Sequence, residues 1–529
     1  MNRRTQGRPH MFGLLAAAFF FFSGVLFVAH LGVQNDEALF ASPLFTPKDW
    51  FYRIRLFHSD IPLLLMSYLG TCKSLIYKFL FQWFGVTAGS IRIPMVLTGA
   101  LSIWLFWLFL RRVAGERAAL IGCALLISDS IYLLTNCFDW GPVALQHLLI
   151  LGAMLLIVCF HQEGRDASLF GGFLLAGLAV WDKALALWML SGIFIACILV
   201  AWRQISGAMS RRRVGLAAAG FCLGASPFLI YNVTHGFASL RENAGRDFSD
   251  VPERARQLEN TLNGEGMFGW LIEEDRDTPA PHPPSNLVET VSAEISTDAG
   301  HPRHNLMVFG LLLALVLAPL ARGNARKGIL FGVTAMAVAW VQMATTKNAG
   351  GSLHHIILLW PLPAMIVAIS LAAASRRLGR AGLPAAVAVT VLLAGSGLLV
   401  TNEYYAQTVR NGGTVPWSDA VFTLSDFLKT TPAKTVSCVD WGILDTLRLL
   451  NRGRLPLRWG GDESEASLPE LVAAAPAVFI GHPVGREVFQ GKTNRLLNVA
   501  GKLKYRRRML AVIGDSFGRP VFEVWEFEP

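Results

Sequence analysis

A succession of apolar runs, each near the length that crosses a bilayer, constrains this chain more than anything else in its sequence. A spanning helix needs roughly 20 mostly apolar residues. Such runs lie near 11–31, 92–110, 117–135, 141–160, 168–181, 184–202, 214–233, 304–321, 328–345, 353–373 and 382–401. The basic clusters Arg111-Arg112, Arg211-Arg212-Arg213, Arg322 with Arg326-Lys327, and Arg376-Arg377 with Arg380 fall between runs. With about eleven crossings, every one of those clusters shares a side with Arg3, Arg4 and Arg8 at the N-terminus. Cytoplasmic loops carry that excess of arginine and lysine, so the N-terminus is expected to be cytoplasmic.

Composition agrees with an integral membrane protein. Only 16% of residues are charged and 53% are hydrophobic, whereas soluble domains are roughly a quarter charged. The net charge of +10 is dispersed over short loops, which argues against a nucleic-acid partner. The first run is longer than a signal-peptide core, and Phe27-Val28-Ala29 lacks the small-x-small pattern of a cleavage site, so an uncleaved anchor is expected. Four of the seven cysteines (Cys123, Cys159, Cys197, Cys222) sit in apolar runs as small hydrophobes. Cys72 and Cys438 lie outside the runs, and one disulfide between them is possible but not required.

The expected architecture is an all-α polytopic membrane domain of about eleven transmembrane helices over residues 1–401, with a small C-terminal soluble α/β domain over 402–529. Three segments fall on the far face: the loop 32–91, the loop 234–303, and the tail. The second loop is polar and proline-rich through Pro279-Ala280-Pro281-His282-Pro283-Pro284 and is read as partly mobile. In the tail, a helix through Phe427 that Ser418 caps is expected, with strands at Thr435–Val439, Ala477–Ile480, Tyr505–Ile513 and Val521–Phe527. The stretch Ile61–Gly70 is too short to span and reads as a helix lying along the interface.

The far-face loops hold the candidate chemistry. Asp36 and Glu37 follow the first run, flanked by apolar residues. They are either solvated loop acids or a desolvated pair with raised pKa, able to take a proton from a hydroxyl. Arg92 opens the second run on the face where arginine is disfavoured, so it needs a partner: an acidic side chain or a lipid phosphate. Asp182-Lys183 interrupts a long apolar stretch as a hairpin turn, either self-paired or functional. His58 and Lys73 are cavity candidates whose simpler reading is snorkelling. Asp139, in Asp139-Trp140-Gly141-Pro142, is a cavity candidate or a helix cap. His354-His355 heads the tenth run; adjacent histidines point about 100° apart on a helix, which disfavours a shared metal ion and suits a polar or phosphate contact. No metal site and no nucleotide-binding fingerprint is read from the sequence.

Taken together, the order of these motifs resembles the polytopic glycosyltransferases that use polyprenyl-phosphate sugars, such as the protein O-mannosyltransferases and the aminoarabinose transferases (C-type glycosyltransferase fold). The resemblance rests on Asp36-Glu37, Pro62-Leu63, Arg92-Ile93-Pro94, Asp139-Trp140-Gly141-Pro142, the Trp181-Asp182-Lys183 turn, and His354-His355 before Leu359-Trp360-Pro361. It covers roughly residues 10–400, and it departs from the family in the histidine pair and in the unassigned tail.

The resemblance implies an inverting transfer from a polyprenyl-phosphate sugar to an acceptor hydroxyl of a lipid, glycan or protein in the cell envelope. Asp36 is implied as the base and Glu37 as a second carboxylate, with Arg92 and Lys183 on the donor phosphate. No cofactor is called for, and dependence on a divalent cation is left open. The expected location is the bacterial plasma (inner) membrane, with the tail extracytoplasmic. A transporter or lipid flippase is the alternative; the lack of internal repeats and the clustering of charge at one face argue against it, and eleven spans are excessive for a receptor's anchor. An oligosaccharyl transferase is expected to bring an Asp-x-Asp motif, which the outer loops are read as lacking.

Overall fold

The computed structural model of the chain describes residues 9–47, 50–56, 59–347, 350–461, 467–474 and 476–529. The first apolar run forms α1 (Pro9–Phe27), followed by the short α2 (Asn35–Leu39) that carries the acidic pair. A three-stranded antiparallel sheet comes next, with β1 (Tyr52–Leu56), β2 (Ser59–Met66) and β3 (Leu69–Gly70) in that order. Here the structure corrects the expected interfacial helix. A continuous apolar run such as Ile61–Met66 carries no helix-or-strand signal of its own, and the hairpin pairing of Arg53 with Pro62 and Ile54 with Ile61 makes it a strand. The helix begins only afterwards, as α3 (Cys72–Phe84). Its Phe79, Trp83 and Phe84 are exposed, as aromatic side chains at a membrane interface are.

The bundle continues with α4 (Ala88–Val113), α5 (Glu116–Ile127), α6 (Ser130–Cys137), α7 (Val143–Glu163), α8 (Asp166–Asp182), α9 (Ala186–Ala208), α10 (Arg211–Gly224) and α11 (Ser226–Thr234). Two expected spans are broken. The α5–α6 pair bends by 63° and the α10–α11 pair by 77°. At the first break the buried Asp129 accepts the Tyr132 backbone N–H at 2.9 Å and the Trp360 indole N–H at 2.6 Å, so a new helix is capped in mid-run. At the second, Pro227 occupies the first turn of α11 and removes a backbone donor.

The loop 234–303, which reads as polar in sequence, carries three helices beside its proline-rich stretch. It contains α12 (Ala238–Asn243), α13 (Val251–Leu262) and α14 (Leu287–Asp298). Its proline-rich part is pinned by Ala280 N–H to the Phe517 carbonyl at 3.1 Å and His282 N–H to the Arg410 carbonyl at 2.9 Å. After it come α15 (Met307–Leu317), α16 (Asn324–Ala344), α17 (Leu353–Ile356), α18 (Leu362–Ser375) and α19 (Gly379–Asn411). The α18 helix is buried on every side and forms the axis of the bundle. Among the described residues six helices are long and apolar enough to cross a membrane, eight with the bent pairs, besides two shorter apolar helices. The chain is an integral membrane protein.

The tail folds as α20 (Ala420–Thr430), β4 (Thr435–Cys438), α21 (Leu444–Leu450), β5 (Leu457–Trp459), α22 (Leu468–Ala473), β6 (Ala477–Gly481), α23 (Lys492–Lys502), β7 (Arg506–Gly514) and β8 (Pro520–Glu528). Its sheet has the order β5-β4-β6-β8-β7, parallel across the first three strands and antiparallel across the last. Four of these strands follow the sequence expectation, and β5 was not foreseen. Val421, Leu424, Val436, Ile480 and Val524 belong to a core separate from that of the bundle. Cys72 and Cys438 are free thiols.

Small residues let the helices approach closely. A side chain on Gly177 would meet the Phe221 carbonyl at 2.2 Å, and one on Gly224 would meet the Leu174 carbonyl at 2.3 Å, so α8 and α10 touch backbone to backbone. Gly224→Leu is expected to force these helices apart at a cost of about 1–3 kcal/mol. Thermal unfolding in detergent should then show a lower midpoint than the parent; an unchanged midpoint would contradict the close contact.

Candidate active site

The turn after α1 is built by one buried arginine. Arg92 is fully buried near the start of α4, and all five of its N–H donors are used. Nε gives to Glu37 Oε1 at 2.8 Å and Nη2 to Glu37 Oε2 at 2.9 Å, a bidentate pair. Nη1 gives to the carbonyls of Val28 (2.8 Å) and Leu31 (2.9 Å), and Nη2 to that of Gly32 (2.6 Å). These carbonyls lie in the turn between α1 and α2, outside any helix ladder, where a buried C=O needs another partner. Arg92 therefore has no donor left for a phosphate, and the buried Glu37 has no oxygen left for substrate. The structure thus replaces two expected roles: the arginine found an acidic partner, and the pair positions the turn.

Asp36 is different. Gln34 caps α2, its Oε1 accepting the backbone N–H of Asp36 at 2.6 Å and of Glu37 at 3.1 Å. The Asp36 carboxylate is half-buried, and Oδ1 accepts a long 3.4 Å bond from Asn35 Nδ2. Its Oδ2 makes no hydrogen bond among the described residues. Burial pushes its pKa up to about 6; the Asn35 bond opposes the rise, the Asp445 charge adds to it and the Lys183 charge opposes it.

Lys183 extends from the turn between α8 and α9, which the outer sheet holds in place. Trp181 Nε1 gives to the Leu63 carbonyl at 2.8 Å, and Ala184 N–H to the Tyr68 carbonyl at 2.9 Å. Lys183 Nζ makes no hydrogen bond or ion pair among the described residues. Burial lowers its pKa to about 8, against the pull of Asp139, Asp182 and Asp36. It lies beside Gly141: a Cβ there would come within 3.2 Å of Lys183 Nζ and 2.7 Å of His354 Cδ2.

The histidine pair has a defined proton placement. His354 Nδ1 accepts from the Trp140 indole N–H at 2.8 Å. An indole can only donate, so the imidazole proton is on Nε2. His355 Nδ1 likewise accepts the Gly350 N–H at 3.2 Å. Both rings are half-buried. Nearby, Arg254 of α13 fills the space beside Gly351, where a Cβ would meet Nη1 at 2.3 Å. Arg254 Nη2 pairs with Asp250 at 3.2 Å, while Nη1 is buried with no hydrogen-bond partner. Sequence reasoning missed Arg254 because the loop that carries it reads as polar and mobile; the amphipathic run Val251–Leu262 was the available signal.

Other candidates are structural. Lys73 Nζ is fully buried, pairs with Asp139 Oδ2 at 3.0 Å and lies 4.2 Å from the centre of the Phe40 ring. Asp139 also accepts the Val143 N–H at 2.8 Å at the start of α7, so it acts as the foreseen cap. Neither group is open to a ligand, so both leave the list of cavity candidates. Asp182 accepts from Gln146 at 3.0 Å, so the turn is not paired with its own lysine. His58 lies outside the described residues. The outer loops do contain an Asp-x-Asp triplet, Asp275-Arg276-Asp277, contrary to the sequence expectation. Asp275 pairs with Asn411 at 2.8 Å and Arg410 at 3.2 Å, and Asp277 with Arg276 at 3.2 Å.

Removing the buried arginine tests its role. Arg92→Ala leaves Glu37 buried and unpaired, a change that typically costs about 3–5 kcal/mol. The yield of folded protein and its melting temperature should fall before any substrate is added. Normal stability with weakened donor binding alone would return Arg92 to the phosphate.

Residues 72–231 match the family described as dolichyl-phosphate-mannose-protein mannosyltransferase. No curated protein is significantly similar in sequence. In fold, the chain is similar to ArnT from Cupriavidus metallidurans bound to undecaprenyl phosphate, with TM-score 0.57 and 13% identity over 97% of both chains. It is also similar to the oligosaccharyltransferase of Archaeoglobus fulgidus in its apo form, with TM-score 0.53 and 12% identity over 96% of this chain and 70% of that one. Residues 72–231 are thus similar to the dolichyl-phosphate-mannose-protein mannosyltransferase family, and the chain shares its fold with ArnT and with the oligosaccharyltransferase.

Proposed function

We propose that the protein is an inverting glycosyltransferase that moves a sugar from a polyprenyl-phosphate donor to an acceptor hydroxyl at the outer membrane face. One observation carries this reading: Lys183 is a buried cation with no hydrogen bond or ion pair among the described residues, and it acts electrostatically on Asp36, whose Oδ2 is likewise uncommitted. A leaving phosphate needs the first, and an attacking hydroxyl needs the second. The undecaprenyl phosphate held by ArnT supports a lipid-phosphate donor here.

In the transfer, the acceptor hydroxyl loses its proton to Asp36 Oδ2 as its oxygen attacks the anomeric carbon. The bond from that carbon to the phosphate oxygen breaks, and the electron pair leaves with polyprenyl phosphate. Lys183, Arg254 Nη1 and the Nε2–H groups of His354 and His355 receive the growing negative charge. Attack opposite the leaving group inverts the anomeric centre. Glu37 and Arg92 contribute by fixing α2.

The membrane arrangement belongs to the same reading. The N-terminus is cytoplasmic, about eleven segments cross, and residues 1–401 form the transferase domain. Residues 402–529 form an extracytoplasmic α/β domain, in the plasma (inner) membrane of a bacterium. This places Asp36, Lys183 and the histidine pair on one face, with the basic clusters on the other.

Release of polyprenyl phosphate from polyprenyl-phosphate sugars by the purified protein measures the reaction. Asp36→Asn should lower turnover by about 10²–10⁴-fold, the usual contribution of a general base, while melting stays normal; undiminished turnover would sink Asp36 as base. Lys183→Ala and Arg254→Ala should each weaken donor binding by roughly 10- to 100-fold, the loss of a charge-assisted hydrogen bond; parental affinity in both would reject the phosphate site. Only ionised Asp36 accepts a proton, so kcat should be full near pH 7, where Lys183 is still charged, and fall on acidification, with a midpoint near the carboxyl's value of about 6. A flat profile from pH 7 to pH 5 would count against it.

A further inference from the structure

The tail is more than an appendage to the bundle, because it touches the segment that carries Asp36. Gly32 N–H gives to the Trp417 carbonyl at 2.8 Å, and a side chain on Gly32 would collide with the Ser418 carbonyl at 1.9 Å. Further along, Asp445 in the first turn of α21 bridges the start of α2 and the 3-10 turn that follows it. Its backbone N–H gives to Asn35 Oδ1 at 3.2 Å, and its Oδ1 accepts from Ser42 Oγ at 2.8 Å. Apolar packing backs the contact: Leu449 of α21 shares a core with Val33, Ala38 and Phe40.

The direction of these bonds matters. An amide has one acceptor side and one donor side. Because Asp445 N–H occupies Asn35 Oδ1, the Nδ2 group must face the other way, toward Asp36 Oδ1. That bond occupies one carboxylate oxygen of Asp36 and leaves Oδ2 without a hydrogen bond among the described residues. We propose that the C-terminal domain orients the base of the transfer through the relay Asp445 N–H to Asn35 to Asp36, making Asn35 and Asp445 positioning residues of the reaction.

This inference rests on the glycosyltransferase reading and adds that a residue more than four hundred positions from Asp36 completes its setting. The charged and titratable groups that face Asp36 are Asp445 from α21, Lys183 from the turn after α8, and Tyr68 between β2 and β3. Asn35 and Asp445 act on it in opposite senses. The Asn35 donor favours the ionised carboxylate, and the Asp445 charge disfavours it.

The experiment is the pH profile of kcat for the full-length protein, measured on a polyprenyl-phosphate sugar with stability checked by melting. Asn35→Ala should lower kcat by roughly 10- to 100-fold, the loss that follows slight misplacement of a reacting group, with donor KM unchanged. Its acid limb should move to higher pH. Asp445→Asn keeps the backbone N–H and an acceptor for Ser42 but removes a charge, so its acid limb should move to lower pH. Limbs that stay at the parental midpoint in both folded variants overturn the relay, whatever happens to kcat. If Asn35→Ala fails to fold, Asn35→Asp decides: it keeps an acceptor for the Asp445 N–H but removes the donor to Asp36, so its acid limb should move to higher pH, and a limb at the parental midpoint overturns the relay. Asp36→Asn runs as the reference: its inactivity beside unmoved limbs rejects the relay alone, its full activity rejects Asp36 as the base, and a parent protein that does not turn over the donor rejects the transferase reading itself.

Discussion

One buried guanidinium holds the outer rim of this membrane bundle together. Arg92 gathers three carbonyls from the turn after α1 and both oxygens of Glu37. Each group would otherwise be an unpaired polar atom at the edge of the hydrocarbon, at a cost of several kcal/mol. The guanidinium also lies 4.7 Å from the centre of the Phe138 ring, which contacts Trp417. Trp417 contacts Trp140, whose indole fixes the proton of His354. The first outer turn, the outer ends of α4 and α6, and the histidine pair are thereby one packed unit.

Charged groups in this unit divide by whether their hydrogen-bonding capacity is filled. Arg92 and Lys73 are buried and saturated by protein acceptors, so they set geometry. Lys183 and the Nη1 of Arg254 are desolvated without such acceptors, and a desolvated cation gains most from an incoming anion. Gly141 and Gly351 make the space in which those two cations stand, since a Cβ at either position would collide with the neighbouring side chains. Uncommitted charge and missing side-chain volume coincide at the same rim, which is what the proposed phosphate site requires.

Much of the membrane architecture was legible because hydrophobic run length and loop charge are direct consequences of bilayer physics. The breaks at Asp129 and Pro227 were not, since each depends on a local cap or a missing donor within an otherwise unbroken run. Asp36 and Lys183 stood out as ionisable residues in apolar surroundings. Arg92 stood out equally well, but a sequence does not show whether an arginine's donors are already occupied; only the fold brings Glu37 and the turn after α1 to it. Arg254 shows the reverse problem. It sits in a charged, amphipathic helix where an arginine looks solvated, and only tertiary packing buries one of its amines. The Ile61–Met66 strand was misread because an apolar run on a sheet has no periodicity to betray it.

The adjacent acids of α2 take opposite fates for a geometric reason. Successive residues of a helix point about 100° apart, so Glu37 can face Arg92 while Asp36 faces away from it. Glu37 gains a partner that holds both oxygens and becomes part of the scaffold. Asp36 gains only Asn35, whose own orientation is dictated from the tail by Asp445. The helix is thus held on one side by the membrane bundle and on the other by the C-terminal domain, and the carboxylate with a free oxygen stands between the two. A carboxylate so placed has little freedom to turn, and burial holds its pKa above the ordinary carboxylate range.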